Sequence, residues 1–174
     1  MEETTTLHGR AVLITGGGTG IGRAAARHFA AEGADVLIVG RTGERLTQTA
    51  GENPRIRTFV ADVADPDAPA DIVAAAVEAF GRIDVLVNNA AITRPAPLRA
   101  IDRKVAEKQL ATNLLAPVLL TQHALPHLEG SGTIVNITSK PGSRTSRSPW
   151  RARSFGTAFP SGASLSPRRS PGGS

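Results

Sequence analysis

Residues 11–22 read Ala11-Val12-Leu13-Ile14-Thr15-Gly16-Gly17-Gly18-Thr19-Gly20-Ile21-Gly22. The apolar run at its start, β-branched at Val12 and Ile14, predicts a strand buried on both faces. The glycines behind it allow a tight turn and let the backbone approach a ligand where a Cβ would clash. Arg23 to Glu32 predicts a helix packed through Ala24, Ala25, Ala26, Phe29 and Ala30. Strand, glycine turn and helix N-terminus together make a phosphate site, because free N–H groups and the helix dipole converge on one anion-sized space.

Outward from that stretch the same alternation repeats. Asp35 to Gly40 predicts a second buried strand, Glu44 to Ala50 a short helix, and Ile56 to Val60 a third, weaker strand flanked by Arg55. Asp65-Pro66 opens a helix to Phe80 with Ile72, Val73, Ala76 and Val77 at helical spacing, and Gly81 ends it. Asp84 to Asn88 is the fourth strand. A long helix follows from Asp102 to Leu125, with a kink expected at Pro117. Gly130 to Gly132 breaks the chain before a fifth strand, Thr133 to Thr138. Strands alternating with helices of this length predict an α/β fold, a doubly wound parallel sheet with its ligand crevice beyond the carboxyl ends of the strands.

Composition divides the chain in two. Of 20 Lys and Arg, seven lie in residues 140–174, which hold no Asp or Glu; the remaining 13 face 15 acids, so residues 1–139 carry −2 of the net +5. We therefore expect one domain over 1–139 and a basic, disordered tail rich in Arg, Ser, Pro and Gly over 140–174. The absence of cysteine excludes disulfides and thiolate metal sites. No apolar run is long enough to span a membrane, and the acidic, polar N-terminus does not resemble a signal peptide. A cytoplasmic location is expected.

The glycine spacing is Thr-Gly-x-x-x-Gly-x-Gly over Thr15, Gly16, Gly20 and Gly22. Asp62-Val63 follows strand three, Asn88-Asn89-Ala90-Ala91 follows strand four, Asn113 lies in the long helix, and Ile134-Val135-Asn136-Ile137-Thr138-Ser139 closes the series. With these motifs in order, residues 8–139 closely resemble the short-chain dehydrogenase/reductase family, whose Rossmann fold is here incomplete at about five strands. The resemblance implies that Gly16, Gly20, Ile21 and Gly22 cradle a pyrophosphate and that Thr15 braces the loop towards Asn89. It implies that Asp62 bonds the adenine amino group beside Val63 and that Asn89 and Ala90 line the nicotinamide ribose. It gives Asn113 a place in a proton relay and Ser139 the positioning of the substrate carbonyl or hydroxyl. Simpler readings stand beside these: Asp62 as the cap of a turn, Asn113 as a structural side chain. Ala91 departs mildly from the glycine more usual in the family.

Cofactor choice follows from charge at the end of strand two. An acid there would accept bonds from both ribose hydroxyls and select NAD, whereas Arg favours the 2′-phosphate of NADP. This chain has Gly40-Arg41 there, and Asp35 sits at the opposite end of the strand, so NADP(H) is favoured over NAD(H).

Hydride transfer to a carbonyl needs a proton donor beside it. The family supplies a Tyr and, four residues later, a Lys. This chain has no Tyr, and its lysines are Lys104, Lys108 and Lys140. Family pattern, acids and periodicity all stop soon after Ser139, which suggests a reading-frame shift. Read one frame over, suitable synonymous codons for Gly156 to Ser161 permit Tyr-Gly-Val-Ser-Lys. The expectation is an NAD(P)(H)-dependent oxidoreductase of carbonyl or alcohol substrates, truncated and catalytically impaired. The alternatives are a non-catalytic NADP(H)-binding module and, less favoured, nucleic-acid binding through the basic tail. An exposed apolar edge at Ile134 to Ile137 and an impaired family-type homo-oligomer are further expectations.

Overall fold

The computed structural model describes residues 7–138; Ser139 and the basic stretch 140–174, with the expectations that fall on them, lie outside. The five strands are β1 (Ala11–Thr15), β2 (Asp35–Gly40), β3 (Ile56–Val60), β4 (Ile83–Asn88) and β5 (Leu128–Asn136). They form one parallel sheet in the order β3-β2-β1-β4-β5. Between them run α1 (Gly20–Ala31), α2 (Gly43–Ala50) and α3 (Ala68–Phe80), and then α4 (Arg103–Leu110) and α5 (Ala116–Ala124).

Strand alternation divides the core. Val12, Ile14, Val36 and Ile38 point to one face, where Ala26 and Ala30 of α1 and Leu46 of α2 cover them. Leu13, Leu37 and Val39 point to the other, against Ile72, Val73 and Ala76 of α3 and Ala116 and Leu120 of α5. Both faces are sealed, which is why these strands are almost wholly apolar in sequence. Each fully buried Leu or Ile, such as Leu13, Ile14 and Ile38, contributes about 1.5–3 kcal/mol.

A buried carboxylate ties the amino ends of the central strands. Asp84 is 4% exposed and accepts from the Ala11 N–H at 2.9 Å, from Arg10 at 2.8 Å and from Arg82 at 2.6 Å. Burial works against its charge, but the Ala11 N–H and the two guanidinium groups outweigh it and hold the carboxyl below its ordinary value of 3.8.

Four elements depart from expectation by more than one residue, among them α3, which begins at Ala68 rather than at Asp65-Pro66. The first helix begins at Gly20 rather than Arg23, because the turn that follows Thr19 is already helical despite its glycines. The long helix is divided: α4, capped by Asp102 accepting from the Val105 N–H at 3.0 Å, passes through a π-helical turn, Ala111–Leu115, into α5. The expected kink at Pro117 becomes this widened turn just before it. Pro117 has no N–H for the Asn113 carbonyl and its ring needs room there, while the Ala116 N–H bonds the Ala111 carbonyl five residues back. β5 begins at Leu128, not Thr133, and ends at Asn136. Ile83 pairs with Leu128 and Val85 with Thr133, so four residues of β5 stand against Asp84 in an irregular stretch that absorbs the expected glycine break. Among the described residues β5 is an edge strand, with Ile134 and Val135 half-buried and Ile137 exposed.

Among the described residues no helix is long and apolar enough to cross a membrane, and no cluster of His, Asp and Glu suits a metal ion.

Candidate functional site

The chain leaves β1 on one side to build β2 and β3, then returns to the other side to build β4. The carboxyl ends of β1 and β4 therefore part, and the crevice between them is where an open α/β sheet receives a ligand. A cavity of about 340 Å³ opens there.

Thr15 closes its floor. Its Oγ1 accepts the Asn89 and Ala90 N–H groups, both at 3.1 Å, and donates to the Val87 carbonyl at 3.4 Å. Asn89 Nδ2 returns two bonds, to the carbonyls of Thr15 at 2.9 Å and Gly16 at 3.2 Å. The end of β1 is thus fastened to the end of β4 by one hydroxyl and one amide. Two glycines make this closeness possible. A Cβ on Gly16, at φ +69°, would stand 2.8 Å from Asn89 Nδ2; one on Gly22 would meet the Gly16 carbonyl oxygen and lie 2.5 Å from the same amide.

Above the floor, α1 starts at Gly20 without a side-chain cap from Thr19. Its first N–H groups have no partner within the helix and carry the positive end of its dipole. Ile21, 65% exposed, stands at the rim. On the far wall Arg41 and Arg45 line the cavity beside Thr42, and neither guanidinium has a partner among the described residues. The cavity therefore has uncommitted positive charge on two sides.

Asp62 and Val63 form the wall beyond β3. Asp62 Oδ1 accepts the Ala64 N–H at 3.1 Å and Oδ2 pairs with Lys108 Nζ at 3.4 Å. The capping role weighed from sequence is present, and the same residue faces the cavity. Asn113 projects from the π-helical turn to the loop after β4. Its Oδ1 accepts the Ile92 N–H at 2.9 Å and its Nδ2 donates to the Ile92 carbonyl at 2.8 Å. It does not line the cavity but fixes the backbone that does. Asn88, buried, donates from Nδ2 to Asn136 Oδ1 at 2.9 Å, leaving its own Oδ1 without a partner among the described residues.

Of the residues singled out from sequence, Gly16, Gly20, Ile21, Arg41, Asp62, Val63, Asn89 and Ala90 line the cavity together. Thr15 and Gly22 lie beneath it, Asn113 braces it from outside, and Ser139 lies beyond the described residues. Arg45 and Thr112 also line it and were not anticipated. Arg45 carries a signal in sequence, four residues after Arg41 at the start of a helix, whereas Thr112 carries none.

The short chain dehydrogenase family model matches residues 10–150. An uncharacterized oxidoreductase of Mycobacterium tuberculosis is 37% identical over 148 residues, covering 81% of this chain and 56% of that protein. Gluconate 5-dehydrogenase of Gluconobacter oxydans is 39% identical over 140 residues, covering 77% and 55%. Among solved structures, a short chain dehydrogenase from Burkholderia cenocepacia in complex with NADP superposes with TM-score 0.70 at 38% identity, covering 75% of this chain and 55% of that one. The chain spans about half the length of the relatives it matches.

Proposed function

Because the chain belongs to the short-chain dehydrogenase family, we propose that the cleft at the ends of β1 and β4 holds NADP(H), and that these 174 residues bind it without turnover. The observation that carries this reading is the donor set of the cleft. Uncapped N–H groups at the start of α1 suit a pyrophosphate, and the unpartnered Arg41 suits one further phosphate on the adenosine ribose. The NADP seen in the Burkholderia cenocepacia relative supports the preference for NADP(H) over NAD(H).

When bound, the cofactor supplies a hydride for exchange with a small-molecule carbonyl or alcohol. The chain's part is to hold and orient it. Gly16, Gly20 and Ile21 receive the pyrophosphate over the floor that Thr15 braces, and Gly22 lets α1 pass close to Gly16 beneath it. Asp62 accepts from the adenine amino group, with Val63 against the ring. Asn89 and Ala90 flank the nicotinamide ribose. Asn113 fixes the Ile92 backbone at the catalytic end of the cleft, and Ser139 orients the substrate oxygen. What the 174 residues do not provide is a phenol to hand that oxygen its proton, since they contain no Tyr.

The exposed Leu110, Leu114, Leu115 and Val118 along the π-helical turn and its flanking helices support self-association through this face, as a family-type homo-oligomer. A cytoplasmic location belongs to the same proposal. Fluorescence titration of the full chain with NADPH and NADH, beside turnover assays on simple aldehydes, ketones and alcohols, tests the reading. NADPH binding without turnover is the expected result. Turnover overturns the catalytic part, and failure of folded protein to bind NADPH overturns the whole.

A further inference from the structure

Asp62 faces two ways. It lines the cofactor cleft with Val63 and Thr112, and it also lines a second, more open depression with Ala64, Pro66 and Lys108. Lys108, on α4, belongs to the second depression alone. Its Nζ reaches Asp62 Oδ2 at 3.4 Å from outside the cleft, while the Ala64 N–H holds Oδ1 at 3.1 Å. Its place is tied to the cleft wall, because Thr112 Oγ1 donates to the Lys108 carbonyl at 2.9 Å.

We propose that Lys108 is a positioning residue for base recognition: holding Asp62 Oδ2 from behind, it aims the carboxylate's remaining acceptor capacity at an exocyclic amino group in the cleft. The inference rests on the reading of Asp62 as the adenine acceptor. Each carboxylate oxygen has two lone pairs, so the bond from Lys108 leaves Oδ2 able to accept a second donor. The pair, 52% and 34% exposed, is of the kind that contributes little to stability, so its effect lies in orientation. Were Lys108 instead a competitor sitting in the amino group's place, it would have to line the cleft.

The test compares two dinucleotides on the full chain by calorimetric titration. One is NADPH and the other is reduced nicotinamide hypoxanthine dinucleotide phosphate, in which a carbonyl replaces the amino group. The unmutated protein should prefer NADPH on the order of tenfold, the worth of one hydrogen bond to a charged acceptor. Asp62→Ala should erase the preference, Lys108→Met should cut it below about threefold, and Lys108→Arg should keep it. High salt screens an exposed pair and should lower the ratio in the unmutated protein, while phosphate contacts, common to both dinucleotides, cancel. This second measurement needs no variant to fold. If Asp62→Ala erases the preference while Lys108→Met and salt leave it intact, the inference on Lys108 alone is overturned. Tighter NADPH binding by Lys108→Met likewise overturns it, in favour of competition. If the unmutated protein shows no preference, or Asp62→Ala leaves one unchanged, the reading of Asp62 falls and the inference with it.

Discussion

Replacing Thr15 by Val removes one oxygen and almost no volume, so its effect isolates the fastening between β1 and β4. Thr15 is buried, and its Oγ1 serves two backbone donors, the N–H groups of Asn89 and Ala90. A buried donor left unpaired costs about 1–3 kcal/mol. Asn89 and Ala90 are themselves half-buried, so water can reach part of the gap and the lower half of that range applies to each. The 3.4 Å bond to the Val87 carbonyl is long enough to neglect. The expected destabilisation is therefore about 2–4 kcal/mol, a large share of the 5–15 kcal/mol typical of a domain. Equilibrium urea unfolding followed by circular dichroism reads it as a lowered midpoint at unchanged slope. Thr15→Ser keeps the hydroxyl and loses a single methyl, so it should cost about 1 kcal/mol. A Thr15→Val protein within 0.5 kcal/mol of the parent, or a Thr15→Ser protein equally damaged, would refute the assignment of the fastening to the hydroxyl.

Arg41→Ala should weaken NADPH binding by about tenfold and leave NADH binding nearly unchanged; equal losses for both would detach Arg41 from the 2′-phosphate. Asp84→Asn should lose about 2–3 kcal/mol at neutral pH, below the full worth of a broken buried pair because Arg10 and Arg82 are 49% and 39% exposed. Because the folded-state pKa of Asp84 is depressed, its contribution is complete above the unfolded value near 3.8 and is lost as pH falls through the lower folded value. The gap between parent and variant should accordingly close in acid, and a gap independent of pH would contradict the charge assignment. Sequencing the gene beyond the codon for Ser139 should reveal Tyr-x-x-x-Lys in an adjacent frame; its absence ends the reading-frame proposal.

The sheet was legible because its strands are buried on both faces. Runs such as Val36-Leu37-Ile38-Val39 admit no amphipathic alternative, and the glycine register placed the crevice at once. Boundaries were less legible where local propensity and tertiary demand disagree. Gly20 and Gly22 are poor helix formers, yet α1 begins at Gly20, since a bulkier residue at position 22 would strike Gly16. Pro117 announced a disturbance, but its missing N–H can be met by a kink or by a widened turn, and no local pattern chooses between the two. The pairing of Asp62 with Lys108 joins positions 46 residues apart, and no local pattern encodes it.

The bonds between Thr15 and Asn89 span 74 residues of chain. A pocket whose floor is made by so distant a contact exists only after the chain has gone out through β2 and β3 and come back, so it is complete only once the central sheet has closed. Contacts of that sequence separation form against a large loop-closure entropy. Dinucleotide that binds only the closed sheet draws the folding equilibrium towards it, by about 2.7 kcal/mol at a hundredfold excess over Kd. On the proposed reading, cofactor supply therefore adds to the stability of the closed sheet, and the ligand acts as the last structural element of the domain that receives it.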